Sequence, residues 1–96
     1  MVLAVLPPGV SDWSWDYNTD DHAHVTGGLP SGAIAEVERI ATELAVLGRD
    51  AETVGRPTGR AGGLREFDIL GGRGFIGFLV VPRHECVYVC RITRYE

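Results

Sequence analysis

Residues 64–95, LREFDILGGRGFIGFLVVPRHECVYVCRITRY, decide the fold. The first segment, LREFDIL (64–70), runs into GGRG, a glycine-rich hairpin turn. FIGFLVV (75–81) follows, and PRHE after it contains Pro82 and suits a second turn. CVYVCRITRY (86–95) is rich in β-branched and aromatic residues, which pack well on a pleated surface. The pattern predicts a three-stranded antiparallel meander. Its middle strand has Phe75, Leu79 and Val81 on one parity and Ile76, Phe78 and Val80 on the other. A strand wetted on one face alternates, so apolar residues on both faces imply cover on both. Helices on one side supply half of that cover. The rest falls to a partner chain, a second copy in a homodimer, or the chain's own long loop.

Working back from the meander, residues 48–63, GRDAETVGRPTGRAGG, read as a loop with room for a short extended piece. Before it, residues 30–47 read as a helix, with Pro30 in the first turn, where a missing N–H is harmless. Ile34, Val37, Ala41, Leu44 and Leu47 recur at three- and four-residue spacing and make one apolar stripe. Gly48 is placed for a left-handed C-cap. Ser11 is positioned to cap a short helix over residues 12–17, and NTDDHAHVTGG (18–28) reads as a turn-rich loop. VLAVL (2–6), stopped by Pro7 and Pro8, suits a buried strand. The expected architecture is one α+β domain over residues 1–96. An N-terminal strand leads into one or two helices, packed on one face of the meander.

Composition narrows the function. The 96 residues carry thirteen acids and nine basic residues, a net charge of −4, and every basic residue is Arg. An acidic chain is poorly suited to non-specific nucleic-acid binding, which neutralises phosphates. The charge is uneven, however. Residues 1–48 hold seven acids and Arg39, while the remainder holds six acids and eight Arg. A localised Arg-lined site is therefore open to the second half.

No stretch reaches the ~18 apolar residues of a membrane span. Cys86 and Cys90, on one strand, sit ~13 Å apart at about 3.3 Å per residue. That is too far for a disulfide, and the expectation is a reduced, cytoplasmic protein.

The chemistry-bearing residues concentrate on the meander. His84 is a candidate acid or base, and Tyr95 a poorer base, a phenol being a weak acid. Arg65, Arg91 and Arg94 can hold phosphate through bidentate hydrogen bonds, or simply solvate the sheet and pair with Glu66, Asp68 or Glu85. His84, Cys86 and Cys90 share a parity, but alternate residues on a strand lie ~7 Å apart, and packed thiols are the simpler reading. No metal and no cofactor is expected. Trp13, Trp15 and Tyr17 alternate; their acidic neighbours favour core or partner contact over base stacking.

The order of strand, helical pair and meander, with GLREF at 63–67, the GGRGF turn and VYVCRITRY at 87–95, resembles the RelE/ParE toxin superfamily. The resemblance covers roughly residues 30–96. It implies a toxin of a two-gene toxin–antitoxin system with a cognate antitoxin as partner. In the RelE-like branch the activity is cleavage of mRNA on the ribosome. In the ParE-like branch it is inhibition of DNA gyrase. By the same resemblance, Arg65 falls on the Arg that holds the scissile phosphate, and Arg94 and Tyr95 fall near the residues that complete the site. His84 joins these as catalytic candidate, with Arg73, Arg83 and Arg91 as RNA-binding candidates. Where the family often has an Arg after an aromatic in the third strand, this chain has Phe75 or Ile76. Together with the acidic balance and the acids Glu66 and Asp68 on one parity, this supports the alternative of a non-catalytic binding protein of the same fold.

Overall fold

The computed structural model describes residues 12–18, 23–59 and 63–95. They form an α+β fold with a five-stranded mixed sheet. In chain order the elements are β1 (Ser14–Tyr17), α1 (Ala23–Thr26), α2 (Ser31–Leu47), β2 (Arg56–Pro57), β3 (Arg65–Ile69), β4 (Gly74–Val81) and β5 (Cys86–Arg94). The sheet order is β1-β5-β4-β3-β2. Strands β3, β4 and β5 are the expected antiparallel meander, while β1 lies parallel to β5 and β2 antiparallel to β3.

The sheet therefore has two strands more than the three of the expected meander. Strand β1 occupies the segment read as a capped helix over residues 12–17. Its alternation of Trp15 and Tyr17 with Ser14 and Asp16 suits a half-buried strand, and the pairing of Ser14 with Cys86 through Tyr17 with Val89 fixes it. The expected strand at residues 2–6 lies outside the described residues. Part of the NTDDHAHVTGG segment is the single helical turn α1 rather than loop. Between residues 48 and 59, a 3-10 turn over Gly48–Thr53 is followed by the extended pair β2.

Helix α2 begins at Ser31, one residue after Pro30, and presents Ala33, Val37, Ile40, Ala41, Leu44 and Ala45 to the core. The buried stripe is turned slightly from the expected one. Ile34 is half-buried and Leu47 is exposed, because Gly48 stops the helix there. Gly48 has φ 61° and ψ −131°, outside the left-handed helical basin, and its N–H reaches the carbonyls of Ala45 and Leu44.

Against this stripe the sheet packs Tyr17, Ile69, Ile76, Phe78, Val87 and Val89. Trp13, Trp15, Phe67 and Ile92 close the margin, so the N-terminal aromatics are core and not a platform for bases. Burying each of the larger side chains stabilises the fold by about 1.5–3 kcal/mol. A register shift at Gly77/Phe78 pairs those residues with Arg91 and Val89 and skips Cys90. This bulge lets Val87, Val89 and Ile92 all face the core although their numbers differ in parity.

The second face carries Glu66, Asp68, Phe75, Leu79, Val81, Tyr88 and Arg91, and no helix packs on it among the described residues. Leu64 does lie over it at Gly77, so part of the cover comes from the loop before β3. Among the described residues no helix is long and apolar enough to cross a membrane.

Candidate functional site

At the end of the sheet where β4 starts and β5 finishes, a pocket of about 410 Å³ opens between Pro30, Gly32 and Ala33 of the α2 start and Leu70, Arg73, Arg94 and Tyr95. Three local features build it. Gly74 pairs with Arg94, and a β-carbon there would come within 2.5 Å of the Thr93 carbonyl oxygen, so only glycine permits this approach of the two strands. The turn over residues 70–73 is anchored to α2, because the Leu70 N–H donates to Glu36 Oε2 at 2.8 Å. Arg73 is held in two ways, by that turn and by the end of the chain's last strand. Its Nε donates to the Leu70 carbonyl at 3.1 Å, and its own carbonyl accepts from the Tyr95 N–H at 2.8 Å.

Arg73 and Arg94 are both exposed at this pocket. The ion pairs among the described residues are Arg39–Glu43, Arg56–Glu66 and Arg56–Asp68, so neither pocket arginine is neutralised by one. Two guanidiniums beside a phenol make an anion site that can orient a phosphate through charge-assisted hydrogen bonds. Of the residues singled out in the sequence, the structure brings together Arg73, Arg94 and Tyr95.

The others go elsewhere. Arg65 points to the loop before β2, where its Nε donates to the Val54 carbonyl at 2.7 Å and its Nη2 to the Gly55 carbonyl at 3.1 Å. Its fork is used to tie that loop to β3. His84 and Arg83 occupy the β4–β5 turn, at the far end of the hairpin. The nine residues of β5 separate that turn from Arg94 by ~26 Å at about 3.3 Å per residue. No single phosphate spans that distance. His84 Nδ1 lies 2.9 Å from the Tyr88 hydroxyl, with the two rings edge to face. The Tyr88 phenol is held above its ordinary range by desolvation, then by Cys86 and Asp16, so it keeps its proton. Burial likewise raises the Cys90 thiol, and Cys86 and Cys90 are both free. Arg91 lies on the second face, its stem across Gly77.

Two residues outside the expected site adjoin the pocket. Arg56, read as part of a loop, sits on β2 between two carboxylates, 3.0 Å from Asp68 and 3.4 Å from Glu66. The hydrogen bond to Asp68 raises its guanidinium further above its ordinary range. Its charged carbon lies 6.0 Å from the centre of the Phe75 ring. Phe75 in turn meets the Tyr95 ring at 6.0 Å, tilted by 52°. Tyr95 is thus shared between the pocket and the second face. An advance signal for Phe75 was the apolar character of both parities of its strand.

No protein-family model matches the chain, and neither the curated proteins nor the solved structures give a match.

Proposed function

We propose that the protein is a RelE-like toxin of a toxin–antitoxin pair, cutting mRNA on the ribosome at the Arg73–Arg94–Tyr95 pocket. The observation that carries this reading is the convergence on one open pocket of a phenol and two arginines that no ion pair among the described residues neutralises. Supporting it is the element order of strand, helices and antiparallel meander, with β1 set beside β5. In this reading Arg73 and Arg94 hold the scissile phosphate and stabilise the charge that builds on it, and Tyr95 exchanges a proton with a ribose or leaving oxygen. The net charge of −4 limits the sites that grip RNA to this small area, so the ribosome and an antitoxin would provide further contacts. A primer-extension assay on translating ribosomes tests it. Cleavage that disappears with Arg94→Ala and falls sharply with Tyr95→Phe supports the assignment. Cleavage unaffected by both overturns it.

A second reading has its own observation. Arg65, the expected phosphate ligand, is committed to the carbonyls of Val54 and Gly55, and His84 stands at the opposite end of the hairpin. Both favour a non-catalytic protein of the same fold, acting on DNA gyrase or another protein. Gyrase poisoning without RNA cleavage would select this reading.

A further inference from the structure

The second face of the sheet next to the pocket combines groups that recognise one kind of nucleobase. Phe75 and Asp68 stand opposite each other in the β3–β4 register, so the carboxylate flanks the ring. Tyr95 continues the aromatic surface from Phe75 into the pocket. Asp68 gives Oδ1 to Arg56 at 3.0 Å, and its side chain remains 60% exposed. A carboxylate has about four acceptor positions, so Asp68 retains capacity for further donors. Glu66 also pairs with Arg56 but is only 24% exposed, which leaves Asp68 as the reader of the two. The charges of Arg56, Glu66, Asp68 and Arg91 offset one another, so this face suits a neutral base better than a second phosphate.

We infer that this surface is a guanine subsite, with the base stacked on Phe75, flanked by Tyr95, and its Watson–Crick edge donated to Asp68. The inference rests on the proposed phosphate pocket, which would hold the same nucleotide. Asp68 and Arg94 belong to opposite faces of the sheet, and Tyr95, which lines the pocket and meets the Phe75 ring, joins the two at the sheet end. Unpaired bases are recognised in this way, stacked on aromatic rings and hydrogen-bonded along their exposed edges. The choice of guanine follows from donor geometry. Guanine offers two adjacent N–H donors, N1–H and the 2-amino group, matched to the two oxygens of one carboxylate. Adenine and cytosine present one amino group beside a ring-nitrogen acceptor, which would face the carboxylate lone pairs. Uracil presents one N–H between two carbonyls. Arg56 fixes the carboxylate in place and so acts as a positioning residue.

The test is equilibrium binding of the 5′-monophosphates of guanosine, inosine, adenosine, cytidine and uridine, and of inorganic phosphate, to the full chain. Guanosine monophosphate is expected to bind at least fivefold more tightly than the other four. Inosine should lose that margin because it lacks the 2-amino group. Asp68→Asn should abolish the preference, and Phe75→Leu, which keeps the apolar volume, should weaken every nucleotide while leaving inorganic phosphate unchanged. Equal binding of all five nucleotides, or a preference that survives Asp68→Asn, overturns the guanine subsite and leaves the phosphate pocket standing. Failure of both phosphate and nucleotides to bind overturns the pocket and the subsite together. Thermal unfolding of each variant shows that a loss of binding is not a loss of fold.

Discussion

The two ends of the β4–β5 hairpin are made from the same strands and carry different chemistry. At the end where β5 finishes, Arg73, Arg94 and Tyr95 surround an open pocket and no ion pair among the described residues neutralises the arginines. At the turn, His84 meets the Tyr88 hydroxyl at 2.9 Å, and Tyr88 holds its proton beside Cys86 and Asp16. One end gathers two arginines around a pocket, and at the other the imidazole is engaged by Tyr88 while Arg83 stands exposed outside the lining of that pocket. The eight steps of β5 from Cys86 to Arg94 alone span ~26 Å at about 3.3 Å per residue. His84 and Arg94 therefore cannot act on one bond.

The largest effect is expected from what both ends share. Phe78 is completely buried midway along β4, against Val89 of β5 and the α2 stripe. Phe78→Ala should lower the free energy of unfolding by about 3–5 kcal/mol, read from urea denaturation. A much smaller loss would mean that the two ends are not joined through one core. Gly55→Ala comes next. Gly55 has φ +73°, and an added β-carbon would lie 2.1 Å from the Glu66 carbonyl oxygen, so backbone must move. The cost should exceed about 1 kcal/mol, since a side chain at positive φ adds strain to the clash. The same substitution should free the Arg65 fork, which now holds the Gly55 carbonyl.

How far the sequence was legible follows the same division. Local signals worked where one element decides its own form: the α2 periodicity, the glycine and proline turns, and the three strands of the meander all stand where the residues place them. The signals failed where a partner strand decides. Residues 14–17 have turn and cap formers around them, yet they become β1 because β5 offers a parallel edge and the core accepts Trp15 and Tyr17. Arg56 and Pro57 form β2 only because β3 is there to pair them. In the candidate site, Arg94 and Tyr95 were legible from the resemblance. The loss of Arg65 to two loop carbonyls was not, since no pattern in the sequence announces a contact between residues ten or eleven positions apart. Nor was the bulge at Cys90, which moves Ile92 to the core face.

A third prediction separates the ends directly. Arg94→Ala should weaken binding of a short single-stranded RNA by about ten- to a hundredfold, the range of one charge-assisted hydrogen bond. His84→Ala should leave that binding within twofold, because its ring lies at the other end of β5. If His84→Ala weakens binding as much as Arg94→Ala does, RNA spans the whole hairpin and the contrast between its ends has no functional meaning.

The smallest effect concerns the helix-covered face, where Tyr17 donates its hydroxyl to Glu38 Oε2 at 3.0 Å. Burial first, and then the Glu38 carboxylate, push its phenol from 10.0 up to about 12. The native state therefore holds this proton more tightly than the unfolded chain does. The stabilisation is complete below pH 10, declines as the unfolded state begins to release its proton, and is gone once pH rises through about 12. Tyr17→Phe removes that proton from both states. The stability of the wild type should consequently fall more steeply between pH 10 and 12 than that of Tyr17→Phe, as seen in denaturant midpoints taken across that interval. Identical slopes would mean that Tyr17 titrates alike in the two states and that its bond to Glu38 does not hold the proton.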